Sequence, residues 1–248
     1  MPRIGTRKLY YMLTEKLVLH GLSIGRDRLF DLLSEYGMLV RRRKRKRVCT
    51  TDSRHPFRKY PNIIRELEVL RPNHLWVSDI TYISLEEKHC YLSLVTDGYS
   101  RKIMGYCLYP TLKKEGPLQA LQMAMGQLPG KPGEPLIHHS DRGLQYCCQA
   151  YTALLQGTGI AISMTEKGDP YENAVAERVN GILKEEFALD KDFDNFEQAA
   201  QAVKNAVVTY NSLRPHASCN YLTPDEAHRQ KGLLPRKWKS KKAVVHAA

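Results

Sequence analysis

HHSDRGLQYCCQAYTALLQGTGIAISMTEKGDPYENAVAERVNGILK, running from His138 to Lys184, is the stretch that decides how this chain is read. Two of its acids stand out, Asp141 and Glu177, with 35 residues between them. Asp141 follows a short apolar run through Leu136 and Ile137, which predicts a buried strand ending at the acid. Glu177 falls within a helical pattern from about Tyr171 to Phe187. On a wheel of about 100° per residue, Asn173, Glu177, Asn180, Gly181 and Lys184 share one side, with Val175, Val179, Ile182 and Leu183 broadly opposite. A plain surface helix also has a polar face. This one combines an acid, amides and a lysine one or two turns apart, which suits a site better than solvation alone.

Upstream, Trp76 to Ile83 alternates and is rich in β-branched and aromatic residues, so it predicts a strand. Asp79 is out of place there, because strands disfavour Asp and burying its charge is costly. A paired structural Asp is the ordinary explanation, and a metal ligand is the sharper one. His89–Thr96 and Lys102–Tyr109 predict two more strands, giving an antiparallel meander. Asp97 competes for a catalytic role, but Asp97-Gly98 is ordinary turn chemistry. Helices are predicted over 115–128, over Gln145–Gln156 and from about Asn195 to Tyr210, and a fifth strand over Ile160–Met164. The order β-β-β-α-β-α-β-α implies a mixed sheet of five strands with helices on its faces.

At the other end, residues 6–19 carry apolar residues at helical spacing, and a second helix is predicted from an N-cap at Ser23 to about Tyr36, stopped by Gly37. The pair resembles a helix-turn-helix, a weak signal by itself. Seven consecutive cations follow: Arg41, Arg42, Arg43, Lys44, Arg45, Lys46 and Arg47. A block of one sign repels itself and stays out of a core, so it reads as a phosphate-contacting arm. The rest of the linker, to Pro72, is expected to hold one short helix near Asn62–Leu70. From Arg229 the chain turns cationic again and reads as exposed. Four regions result: a helical region (1–40), a basic arm and linker (41–72), a catalytic core (73–228) and a basic tail (229–248).

Composition agrees with a polyanionic partner. Lys and Arg number 38 against 26 Asp and Glu, a net charge of +12, and nucleic acid is the default partner for such an excess. None of the six cysteines shows a CxxC spacing, so neither zinc nor a disulfide framework is expected. No apolar run is long enough for a membrane span and no signal-peptide pattern opens the chain, so a cytoplasmic protein is expected.

Asp79, Asp141 and Glu177 are three carboxylates that would repel if gathered unpaired. Oxygen-only ligands suit Mg²⁺ or Mn²⁺. Two such ions about 3.5–4 Å apart clamp the attacking and leaving oxygens of a displacement at phosphorus. Lys184 would hold DNA over the site, with Arg142 and Lys167 as further candidate contacts. His138 and His139, near the strand end, read as structural.

WVSDITYI, HHSDRGLQY, KGDPYENAVAERVNGILKEE and YNSLRPH together resemble the integrase core of DDE transposases, in particular the OrfB product of the IS-three family of bacterial insertion sequences. The resemblance covers about 74–228 and, more loosely, the helical N-terminus. It implies an RNase H-like fold, a catalytic and metal-binding triad of Asp79, Asp141 and Glu177, two Mg²⁺ ions, and DNA cleavage followed by strand transfer. It also implies a homo-oligomer on terminal inverted repeats and target DNA, with an upstream-frame product or fusion as a further partner. Asn173 joins Lys184 as an expected DNA contact beside Glu177. The chain lacks the zinc-binding His-His-Cys-Cys module of retroviral integrases. A non-catalytic DNA-binding derivative and an RNase H-like nuclease are the alternatives.

Overall fold

The computed structural model describes residues 1–40, 55–86, 88–128, 130, 134–166 and 173–235. The cations at 41–47, Lys167 and the tail from 236 onward therefore lie outside the described residues. One sheet of five strands runs through the molecule in the order β3-β2-β1-β4-β5. Its strands are β1 (Leu75–Ser84), β2 (His89–Asp97), β3 (Ile103–Tyr109), β4 (Ile137–Ser140) and β5 (Ala161–Met164). The first three pair antiparallel because short turns join them. β4 pairs parallel with β1, and β5 parallel with β4, each reached through helical chain.

Alternation sorts the side chains to two faces. Trp76, Ile80 and Val95 face a core shared with α3 (Glu115–Met125), α4 (Leu144–Cys147) and α5 (Gln149–Gly157). Ile83, Leu92 and Leu94 face a second core, shared with α6 (Ala174–Glu186) and α7 (Phe196–Leu213). α3 comes so close to β3 that a Cβ on Gly105 would stand 2.0 Å from the Ala120 carbonyl oxygen. Only glycine allows that approach.

The predicted order of elements holds, with four local corrections. The helix expected over Gln145–Gln156 is two, because Cys148 adopts extended backbone (φ −65°, ψ 147°) and caps both. The bend turns Tyr146 and Tyr151 inward, edge to face at 5.3 Å. No helix forms near Asn62–Leu70. There the backbone bonds across to β5 instead: Ile63 N–H donates to Ser163 Oγ, and Met164 N–H to the Pro61 carbonyl. Ile64, Leu67 and Val69 then pack on Leu75, Val77 and Ala176. The second N-terminal helix starts at Arg26 from an uncapped Gly25 rather than from Ser23. α3 stops before Gly126, not at Pro129.

The helical hairpin α1 (Thr6–Leu19) and α2 (Arg26–Glu35) buries only Leu29. Polar contacts hold it to the core. Arg3 bonds Asp190 at 2.7 Å, and Lys8 bonds Glu186 at 2.9 Å. Tyr11 stacks on Tyr221. Glu186, at the end of α6, also takes a two-pronged contact from buried Arg214 at 2.7 and 2.8 Å. Beyond α8 (Pro224–Ala227), Gly232 donates to the Leu70 carbonyl and accepts from the Tyr99 hydroxyl, so the start of the tail is pinned to the core. Among the described residues no helix is long and apolar enough to cross a membrane.

Candidate active site

β1 and β4 carry the first two acids to the same end of the sheet. Their parallel register pairs Val77 with His139, and continuing both strands in step reaches Asp79 and Asp141 together. The Asp79 side chain is ringed by protein atoms. Asn180 Nδ2 donates to its Oδ2 at 2.8 Å, and the Ile80 N–H to its Oδ1 at 2.9 Å. Burial, reinforced by the negative charge of Asp141, pushes the Asp79 carboxyl up to about 7 despite those two bonds. Asp141 Oδ1 accepts the Gly143 N–H at 2.9 Å. A Cβ on Gly143 would sit 3.0 Å from that oxygen and 3.2 Å from Gln145 Oε1, so a side chain there would press on both and shift them by a few tenths of an ångström.

Glu177 stands in the first turn of α6, exposed. Its charge is felt at Asp79, more weakly than that of Asp141. Among the described residues no three His, Cys, Asp or Glu side chains converge closely enough to grip an ion. Two acids are thus drawn together, and the third looks on from the helix above. The N-cap of α6, Asn173, follows directly on residues 167–172, which are outside the described set.

Beneath the strand ends lies a buried polar layer. His138 Nε2 meets Ser78 Oγ at 2.7 Å and the Tyr151 hydroxyl at 2.9 Å. Burial, then the neighbouring His139, pull His138 down to about 3, so it is neutral at ordinary pH. His139 Nδ1 bonds Ser163 Oγ at 2.8 Å. His138 ties β4 to β1 and to α5, and His139 ties β4 to β5, beneath the acids. Asp97 is fully buried. Its carboxylate accepts from the Asn73, Tyr99 and Ser100 N–H groups and from the Ser100 hydroxyl, which makes it the organiser of the β2–β3 turn.

Integrase core domain models match residues 69–170 and 158–224. A 31-kDa protein of insertion element IS600 from Shigella sonnei is 35% identical, over 92% of this chain and 81% of its own length. A putative transposase for IS986/IS6110 from Mycobacterium tuberculosis is 30% identical, over 90% and 80%. The chain belongs to the IS-three family of insertion-sequence transposases. The transposase's fold is that of retroviral integrase cores. The HTLV-2 integrase catalytic core in complex with magnesium superposes with a TM-score of 0.52 at 22% identity, covering 65% of this chain and 99% of that one. A simian T-cell lymphotropic virus intasome chain gives 0.56 at 20% identity, covering 96% and 79%.

The candidate DNA contacts of the transposase divide into three groups. Lys184 lies on the Glu177 side of α6, with its ammonium 3.6 Å from the centre of the Tyr82 ring. Asn173 and Arg142 are engaged within the fold. Asn173 is buried and donates to the Ser78 carbonyl at 3.0 Å, pinning the start of α6 beside Asp79. Arg142 donates to the Glu166 carbonyl at 3.0 Å. Lys167 and the 41–47 cations are outside the described residues. Sequence reasoning placed Asn180 on the right helix face but missed its bond to Asp79. An amide three residues after the acid is the only available signal, and it does not name its partner.

Proposed function

We propose that this transposase cleaves DNA at the ends of its element and transfers the freed 3′ ends to new DNA, using Asp79, Asp141 and Glu177 as ligands to divalent metal. The observation that carries the reading is the pair of acids at the matching ends of β1 and β4, where burial and mutual repulsion push Asp79 up to about 7. Carboxylates gathered in this way repel one another, and a bound divalent cation relieves that repulsion. The donors are all oxygen, which suits Mg²⁺, with Mn²⁺ as a substitute. Asp79, Asp141 and Glu177 are the residues that would hold the metal. When bound, two ions activate the attacking oxygen and stabilise the leaving oxygen at phosphorus.

The chain's own residues prepare the site. Asn180 and the Ile80 N–H orient Asp79, and the Gly143 N–H orients Asp141. Asn173 anchors the helix that carries Glu177. Lys184 holds a backbone phosphate, and the 41–47 cations add affinity without sequence information. The partners are the terminal inverted repeats, target DNA, further copies of this chain and an upstream-frame product.

The test is incubation with labelled DNA copied from the borders of the reading frame, with and without Mg²⁺. Nicked and then joined products are expected only with metal. Asp141→Asn and Glu177→Gln should abolish both while DNA binding survives. Full activity in either variant overturns the assignment. Nicking without joining identifies a nuclease instead.

A further inference from the structure

Lys184 is held in an unusual way for a surface-facing lysine. Its ammonium rests over the Tyr82 ring, 3.6 Å from the centroid. Tyr82 lies on β1, three residues beyond Asp79, and is half-buried. Its ring is packed in turn by His89 of β2, at 5.2 Å with a tilt of 51°. Contacts from a strand and a helix therefore bear on this one ring. The ion pairs formed among the described residues do not include Lys184; burial pulls its ammonium down to about 8, with the charges of Asp79 and Asp190 acting the other way.

The choice of an aromatic partner has a consequence. A carboxylate against Lys184 would neutralise the ammonium and compete with phosphate for it. A π face attracts the cation without supplying a counter-charge. It also leaves hydrogen donors of the ammonium pointing elsewhere, because –NH₃⁺ carries three. A free lysine spends much of its binding energy on ordering a flexible stem, and an ordered one spends less.

We propose that Tyr82 is a positioning residue for substrate DNA: its ring, braced by His89, holds the Lys184 ammonium pre-aimed at a phosphate beside Asp79. The proposal rests on the assignment of Lys184 as a DNA contact made above.

A double-mutant cycle tests it. Affinity of the full chain for a fluorescein-labelled duplex copied from the borders of the reading frame is measured over a range of KCl, for wild type, Lys184→Met, Tyr82→Leu and both together. Lys184→Met should weaken binding and reduce the salt slope by about one. Tyr82→Leu should weaken binding roughly threefold to tenfold. The double variant should be no weaker than Lys184→Met alone, and Tyr82→Phe should bind like wild type. If the loss from Tyr82→Leu is as large in the Lys184→Met background, the ring acts independently of the lysine and the proposal is wrong. If Lys184→Met changes neither affinity nor slope, the DNA assignment of Lys184 fails first and takes this inference with it. Should Tyr82→Leu not fold, fluorinated phenylalanines at 82 keep the ring's shape while draining its π face. Affinity falling with each added fluorine supports the proposal, and affinity that does not fall overturns it.

Discussion

At the scale of single residues, the site is crowded where it matters. Gly143 is the clearest case, since a methyl group there would press on Asp141 Oδ1 and Gln145 Oε1. Gly143→Ala is expected to cost about 1–3 kcal/mol or to turn the Asp141 carboxylate aside. Strand transfer should fall far more than affinity for DNA, measured by gel assay of joined products beside fluorescence anisotropy. Asn180→Leu removes the side-chain donor that orients Asp79. It should lower transfer while thermal stability and binding hold. Wild-type transfer in this variant would show that the Ile80 N–H suffices to place Asp79. Asp79 and Asp141 stand out in the sequence because a charge in or directly after an apolar strand demands an explanation. The bond from Asn180 to Asp79 is not legible there, because a contact between residues 101 positions apart leaves no local trace.

At the scale of elements, the strands were read well and the helices less so. Alternation has a period of two and survives in a short window, so β1, β2 and β3 were legible within a residue or two. The break at Cys148 was not, because no proline or glycine marks it and the bend serves Tyr146 and Tyr151, which pack against His138. Residues 62–70 misled for a related reason. Ile64 and Leu67 have helical spacing, yet they close a single turn, Leu67 N–H to the Ile64 carbonyl, in a segment otherwise without helix and partly bonded to β5. α3 lies on β3 with no side chain at Gly105 between them. Gly105→Ala must drive the two backbones apart, and a loss of at least about 1–3 kcal/mol is expected in urea unfolding. An unchanged midpoint would mean that α3 can slide.

At the scale of the whole molecule, Glu186 links parts that are far apart in sequence. It joins α6 to Arg214 after α7 and to Lys8 of the N-terminal hairpin. Burial alone would raise its pKa, but hydrogen bonding and charge from Arg214, helped by Lys8, hold it below the usual carboxylate range. Lys8 is itself pulled down, by burial and by Arg214, so Arg214 is the stronger partner. A depressed carboxylate stabilises the fold above its unfolded value, near 4.3, and that contribution is lost as pH falls through the lower folded value. Glu186→Gln should therefore flatten the acid side of the stability profile below about pH 4.3. Arg214→Met leaves the buried Glu186 carboxylate to Lys8 and should cost up to about 3–5 kcal/mol. The basic arm belongs to this scale too. Deleting residues 41–47 should weaken DNA binding and reduce its dependence on salt, and an unchanged slope would remove the arm from the interface.

Residues 55–72 have one more consequence, for how the chain is made. β5 is an end strand of the sheet, and Ile63 reaches it across 100 positions of sequence. An uncovered strand edge invites pairing with another chain. On the ribosome the covering segment emerges long before the strand it covers, so β5 finds its shield waiting. A catalytic core produced without its first 72 residues would meet solvent with that edge bare, and it should accumulate as aggregate where the full chain stays in solution.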